Sequence, residues 1–183
     1  MASPPSPPLV SPDEYLNSSY RPDMEYVEGV LVERGEPTIA HGLLRVILVA
    51  YLRTYRKQFR FAAIPNVRTQ IVERARYRVA DIMLCPLPLP VGKVVTTIPW
   101  VIIEILSPDD KTSEQLGRCR DYKQIGVACV VLLDPEQLLA YRFEDGSLLR
   151  TEFKSMDLPT SSLPFDSVAL FQQLTEELNE GRG

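Results

Sequence analysis

The run WVIIEIL, residues 100–106, constrains this chain more than any other stretch. Six apolar residues surround one carboxylate, Glu104, and the run ends in Ser-Pro-Asp-Asp, the opening of a loop or helix. A strand that is apolar at nearly every position is buried on both faces. A carboxylate inside it loses its hydration, which costs several kcal/mol unless positive charge or hydrogen bonds compensate. Glu104 therefore needs a partner, and the rest of the sequence must supply it.

The flanking pattern supplies strands and helices in partial alternation. "MEYVEGVLVERG" reads as two short strands around Glu28-Gly29, a hairpin signal. From Thr38 to Gln58 the apolar spacing has the length and period of a helix packed under a sheet. "NVRTQIVE" and "YRVADIMLC" follow as strands joined by a charged turn, and a Pro-rich loop leads on to the strand at 100–106. A helix is predicted from about Lys111 to Ile125, stopped by Gly126. "ACVVLLDP" is a further buried strand, "LLAYRFEDGSLLR" a hairpin with Asp145-Gly146 at its turn, and a last helix spans about Ser167 to Leu178. The class is α/β or α+β with a mixed central sheet. The expected organisation is a loose Pro-rich arm over residues 1–19, with five prolines before Asp13, and a single domain over 20–183.

With 183 residues, 45% of them apolar and 24% charged, the chain has the composition of a globular, soluble protein. No apolar run approaches the roughly 20 residues that span a bilayer, so no membrane partner is expected. The start has neither the basic residues nor the apolar core of a signal peptide. Cys85, Cys119 and Cys129 follow no metal-ligand spacing and read as buried thiols in a reducing cytoplasm. The net charge of −4 is unevenly spread: residues 41–80 carry nine bases and one acid. That basic middle is either a polyanion footprint or a solvated helix end and strand edge.

Asp81 repeats the puzzle of Glu104, as a lone acid in the apolar run "RVADIML". Alternation puts Val79, Asp81 and Met83 on one face of their strand, and Trp100, Ile102, Glu104 and Leu106 on one face of theirs. If the strands are neighbours, both carboxylates point into one pocket, where they repel unless a cation neutralises them. Mg²⁺ or Mn²⁺, taking one or two carboxylates plus waters and a phosphate, is the expected ion. Such an ion can polarise a phosphoryl oxygen and generate hydroxide from water. The plainer reading of each acid alone is a salt-bridge partner or a loop cap.

The combination of "YRVADIMLC" with "PWVIIEILSPDDKTSEQLGRCRDYKQIGVACVVLLDP", preceded by "MEYVEGVLVE" and by His41 opening the first long helix, resembles the Uma-type endonucleases of the PD-(D/E)XK nuclease superfamily. The likeness covers roughly residues 20–175. It implies a restriction-endonuclease-like core, a mixed central sheet flanked by helices, and a divalent metal held by Asp81, Glu104 and the backbone carbonyl of Ile105. It also implies DNA as the partner and phosphodiester hydrolysis as the reaction.

The chain departs from that pattern at one point. The superfamily's Lys two residues after the Glu is Leu106 here, and the Lys that Uma-type sequences carry four residues before the helical Tyr is Arg118. Helical geometry turns Arg118 inward, between Ile125 and Tyr122, with Lys111 on the same side two turns earlier. Arg118 can stabilise negative charge through its guanidinium fork, but it cannot accept a proton at neutral pH. Lys111 is the alternative source of charge. His41, the only histidine, either touches water and phosphate at the pocket or serves as a hydrogen-bonding helix-end residue. Glu25 precedes a hairpin and either completes the acid cluster or, the preferred reading, is a plain surface acid; Ser107 reads as a turn cap and Trp100 as packing. The leading reading is a Mg²⁺-dependent endodeoxyribonuclease. Its rivals are a degenerate nuclease fold that binds nucleic acid or a partner without cutting, and a structural homodimer whose buried acids form internal salt bridges.

Overall fold

The strand around Glu104 takes the central, doubly covered place that its composition demands. The computed structural model describes residues 9–180. In chain order the elements are α1 (Pro12–Asn17), β1 (Glu25–Val27), β2 (Val30–Val32), α2 (Ile39–Phe59), β3 (Phe61–Val72), β4 (Arg76–Pro86), β5 (Val94–Val95) and β6 (Val101–Ile105). They continue with α3 (Thr112–Gln124), β7 (Cys129–Asp134), β8 (Leu139–Glu144), β9 (Ser147–Arg150), β10 (Ser155–Leu158), β11 (Ser161–Pro164) and α4 (Ser167–Glu180). The main sheet runs β2-β1-β4-β6-β7-β8-β9, with β3 on β4 and β5 on β3, while β10 and β11 form a separate hairpin. β6 and β7 are parallel, linked by the α3 crossover, whereas β4 meets β6 antiparallel, so the sheet is mixed.

Helices cover both faces. α2 and α4 bring Leu44, Leu48, Leu52, Phe171 and Leu174 against Ile82, Leu84, Val101, Ile103 and Val131. On the other face α3 brings Cys119 and Tyr122 against Met83, Cys85, Ile102, Val130 and Leu132. Every residue of β6 is buried, which is why its sequence lacks the alternation of a half-exposed strand.

The sheet forks along β4. β3 pairs with nearly the whole of β4 and so takes one of its edges. The other edge is divided, with β1 on Arg76 and Tyr77 and β6 on Ile82 to Leu84. Residues 78–81 lie between the two partners, and the acids converge there. On β3 the residue opposite Asp81 is Asn66, in the left-handed region at φ 51°, and the ladder skips that pair. Asn tolerates this conformation better than most residues. Alternation slips by one across the gap: Ala80 and Met83 both pack on the α3 side, while Asp81 reaches His41 and Arg45 of α2. The common face expected for Asp81 and Met83 is therefore corrected. Trp100, just ahead of β6, likewise packs on the α2 side, away from Ile102.

The strand expected from Asn66 begins five residues earlier, at Phe61, and most other boundaries shift by a residue or two. Thr38 caps α2 by accepting from the His41 N–H, and Lys111 caps α3 without a side-chain bond. Asp145 and Gly146 turn the β8–β9 hairpin at φ 47° and 80°, the primed geometry that matches strand twist. The loose arm expected over residues 1–19 does not include its second half; residues 1–8 lie outside the described residues. Ser11 caps α1, the Val10 N–H donates to Gly29, and Tyr15 is completely buried against Tyr26 and Tyr77 with the Arg68 guanidinium 4.1 Å above its ring.

Tyr15→Ala is therefore expected to destabilise the protein by about 3–5 kcal/mol, the scale of emptying a buried aromatic site. Urea denaturation measures this, and an unchanged midpoint would return α1 to the status of a loose arm.

Candidate active site

Each carboxylate of the pair is anchored through one oxygen and presents the other. Asp81 Oδ2 accepts from the Ile105 N–H at 2.8 Å, where β6 runs past the gap in β4. Glu104 Oε1 accepts from the Tyr122 hydroxyl of α3 at 2.7 Å. The remaining oxygens converge on one nitrogen: Arg34 Nη2 lies 2.8 Å from Asp81 Oδ1 and 3.4 Å from Glu104 Oε2. Both acids are 1% exposed, so neither is a surface salt-bridge partner. A single cationic atom bridging two hard oxygen donors is the donor set that Mg²⁺ or Mn²⁺ prefers. Among the described residues no group of three or more His, Cys, Asp or Glu side chains is arranged to hold a metal ion, so an ion here would rest on the two carboxylates with main-chain and water oxygens.

The charge states follow from this environment. Burial pushes the Glu104 carboxyl up, the Asp81 charge pushes it further, and Arg34, Arg118 and Tyr122 offset only part, leaving it at about 8. Burial acts the same way on Asp81, but the Arg34 charge and the Ile105 N–H outweigh it and hold Asp81 well below the usual carboxylate range. The pair thus carries one negative charge near neutrality, with the proton on Glu104. Burial, with Glu104 and Glu25 nearby, raises the Tyr122 hydroxyl well above its ordinary range, so it remains a donor.

A second acid completes the fork. Glu25 has no exposure at all; it accepts from the Val79 N–H at 3.1 Å, from Arg78 Nη1 at 2.6 Å and from Arg118 Nε at 3.2 Å. The surface reading of Glu25 is corrected: it fills the place of the missing strand partner at Val79. Arg118 is inward and 3% exposed, held by Glu25 and close enough to Glu104 to lower its pKa. Lys111 is not brought to the site. Its ammonium pairs with Glu114 at 3.0 Å and its side chain is 75% exposed.

His41 does reach the pocket. Its Nε2 lies 3.2 Å from Asp81 Oδ1 and 2.6 Å from Arg45 Nη2, and its Nδ1 lies 3.2 Å from Ser107 Oγ. Arg45 can only donate, so the arrangement that satisfies it has Nε2 accepting from Arg45 and Nδ1 donating to Ser107. His41 then orients Arg45, whose Nη2 also donates to Asp81 at 3.3 Å. Arg34, Gly35, His41, Arg45, Asn66 and Asp81 line a cavity of about 140 Å³. Glu104 is not among the residues that line it, so the cavity reaches the acid pair from the Asp81 side. A roomier hollow of about 310 Å³, lined by Leu106, Gln115, Asp134 and Leu148, contains neither acid.

The family described as "Uma2: Putative restriction endonuclease" matches residues 12–172. The chain belongs to the Uma2 family. Its fold is shared by the crystal structure of "a putative nuclease belonging to DUF820" from Anabaena variabilis ATCC 29413, at TM-score 0.76 and 20% identity over 90% of this chain and 99% of that one. The DrdV–DNA complex aligns at TM-score 0.40 and 13% identity, over 72% of this chain and 11% of its own, too distant to carry an argument. No curated protein matches. The Uma2 fold here is thus a restriction-endonuclease-like core. Among its described residues no helix is long and apolar enough to cross a membrane.

Sequence reasoning missed Arg34, Arg45 and Tyr122 as site residues. Two of them left a signal: Arg45 stands four residues after His41 on a largely apolar helix, and Tyr122 four after Arg118, each pair sharing one helical face. Arg34 lies between β2 and α2 with no periodic pattern to mark it.

The Glu104 proton makes stability depend on pH. The folded carboxyl titrates at about 8 against an ordinary 4.5, so the folded chain holds this proton where the unfolded chain has lost it. Its contribution is fully present below pH 4.5 and is lost as pH rises through about 8. Glu104→Gln, which mimics the protonated acid, should gain stability relative to wild type across that window, on the order of a few kcal/mol at its upper end. Urea midpoints of both proteins in chelator test this, and a pH-independent difference would remove Glu104 from the protonated state.

Proposed function

We propose that this protein is a metal-dependent endonuclease that hydrolyses phosphodiester bonds in DNA, with Mg²⁺ or Mn²⁺ held by Asp81, Glu104 and the carbonyl of Ile105. The observation that carries this reading is the convergence of Asp81 Oδ1 and Glu104 Oε2 on one cationic nitrogen, inside the fork of a Uma2 fold. When bound, the ion would supply Lewis-acid polarisation of the phosphate and acidify a coordinated water.

The chain's own residues prepare that chemistry. Ile105 N–H and Tyr122 OH fix one oxygen of each acid, so the other two are aimed before any ligand arrives. Glu104 gives up its proton as the site fills, which makes occupancy weaker as pH falls. Arg118, locked by Glu25, supplies fixed positive charge against the negative charge that develops on the phosphate. It cannot act as a base, so deprotonation of water falls to another group. Arg45, with its side chain 21% exposed at the cavity, is the cation placed to meet an incoming phosphate.

The basic middle contributes less than its count implies. Arg45, Arg68, Arg74, Arg76 and Arg78 are all engaged by acids of the chain itself. Arg53, Arg56, Lys57 and Arg60 are exposed at the far end of α2 and form none of the ion pairs among the described residues. At 1.5 Å per residue, Arg53 and Lys57 stand about 18 and 24 Å along the helix from His41, a span of about five to seven base pairs. They are suited to phosphates flanking the cut. The three free, buried cysteines suit a reducing compartment, and we place the protein in the cytoplasm on that ground.

A second reading has support in one feature. With Arg118 in place of an amine, and Lys111 turned to solvent, no lysine stands inside the fork to accept and release a proton. The fold would then bind nucleic acid, or a protein partner, without cutting. Plasmid nicking in Mn²⁺ separates the readings. Wild type should nick, Asp81→Ala and Glu104→Ala should not, and Arg118→Ala should lose on the order of 10² in rate. Arg118→Lys should keep or raise activity, and Lys111→Ala should match wild type. If only Arg118→Lys cuts, the protein is a lapsed nuclease. If Arg118→Ala cuts as well as wild type, Arg118 has no part in the reaction.

Binding gives an independent check. Affinity for duplex DNA should fall steeply with salt, and replacing Arg53, Arg56 and Lys57 should weaken it about equally for all sequences. Salt-independent binding, or none at low salt, would return these residues to the status of a solvated helix end. Were the acids also to bind no metal, internal salt bridges within a structural homodimer would remain as their role.

A further inference from the structure

Arg34 stands where any cation shared by Asp81 and Glu104 must stand. Its Nη2 touches the two oxygens left over after Ile105 and Tyr122 have taken the others. A Mg²⁺ ion binds oxygen at about 2.0–2.1 Å, so ion and guanidinium cannot occupy this point together. We propose that Arg34 is a resident counter-cation that competes with the divalent ion for the acid pair and withdraws when the ion enters. The proposal rests on the metal reading of Asp81 and Glu104 given above.

Three observations make Arg34 the group that moves. First, it belongs to the connection between β2 and α2 and to no helix or strand, whereas Arg118 and Arg45 are carried by helices. Second, it is under-bonded. Among the described residues its Nε is buried without a partner, its Nη1 reaches Asn66 only at 3.4 Å, and its sole short contact is the one to Asp81. An N–H buried without a partner weakens the hold of the site on this side chain. Third, its side chain is 15% exposed and lines the cavity that reaches Asp81, so it has a way out.

The backbone need not follow. Gly35 packs so closely on the 107–110 turn that a Cβ there would lie 3.1 Å from Asp110 Oδ1 and 3.2 Å from Ser107 Cβ. The connection is seated against that turn, and a change of rotamer at Arg34 suffices to clear the acids. His41 and Arg45 face Asp81 from α2, and Arg118 approaches Glu104 from α3; each is also bonded to a second group, Ser107, His41 and Glu25 in turn. They remain in place when Arg34 leaves.

The cost of competition is set by how often the site is open. If the guanidinium sits on the acids in nine of ten metal-free molecules, it weakens apparent metal affinity about tenfold, and proportionately more as that fraction rises. Removing it should therefore tighten binding, the reverse of what losing a ligand or a structural support would do.

Calorimetric titration of Mn²⁺ into the full chain, at one pH for all variants, tests this. Arg34→Gln should bind at least about tenfold more tightly than wild type, while Asp81→Ala and the double variant should not bind. Metal-free Arg34→Gln should melt at lower temperature than wild type, yet gain more on adding Mn²⁺. Equal or weaker binding by Arg34→Gln, with binding still abolished by Asp81→Ala, would overturn the competition and leave the metal site standing. Identical isotherms for all variants would remove the metal site and the competition with it. Should Arg34→Gln fail to fold, Arg34→Lys keeps the charge on a shorter stem. Its affinity should exceed that of wild type, and equality with wild type counts against the proposal.

Discussion

The burial of carboxylates in the gap of β4 is the constraint on which the rest of this structure depends. Glu25, Asp81 and Glu104 have almost no exposure, and each would be costly there alone. Arg34, the Ile105 N–H and Tyr122 compensate Asp81 and Glu104, and a continuous run of ion pairs compensates Glu25: Glu28 to Arg76, Arg76 to Asp121, Asp121 to Arg78, Arg78 to Glu25, and Glu25 to Arg118. Complete buried pairs add little net stability, whereas deleting one partner costs about 3–5 kcal/mol. The network is thus better understood as fixing one arrangement of β1, β4 and α3 than as strengthening the fold. The apolar clusters on the two faces carry the strength.

Much of this was legible before any coordinates, because burial leaves its mark on sequence. β6 and β7 announce themselves by unbroken apolar runs, α2 by its period and length, and the β8–β9 hairpin by Asp145-Gly146. Glu104 and Asp81 stood out because a charge in such a run is expensive. That they occupy neighbouring strands was a condition the sequence left open, and the pairing of β6 beside β4 meets it. The inward position of Arg118 followed from helical geometry alone, and the structure has it 3% exposed.

What sequence could not convey depends on contacts far apart in the chain. Glu25 read as a surface acid because nothing near it in sequence reveals that β1 stops short and leaves Val79 without a strand partner. The slipped alternation at Asp81 depends on Asn66 adopting φ 51° on the opposite strand, a conformation that its residue type permits without announcing. α1 and the β10–β11 hairpin are too short for periodicity to register. Arg34 lies in an aperiodic connection, and only tertiary structure brings it to the acids. Lys111 shows the opposite failing: its helical phase suited the site, but as the residue that caps α3 it turns to Glu114 and solvent.

The carboxylate that stands in for a strand at Val79 gives the fork its own dynamics. Amides bonded across the β3–β4 ladder exchange their hydrogens only when the sheet itself opens. The Val79 amide is held by Glu25 Oε1 instead, so rotation of one side chain, with no loss of ladder bonds, is enough to release it. The same rotation releases Arg118 from Glu25 and leaves Arg78 to Asp121 alone. Deuterium uptake at this single position therefore reports the breathing of the acid cluster separately from the unfolding of the protein that surrounds it.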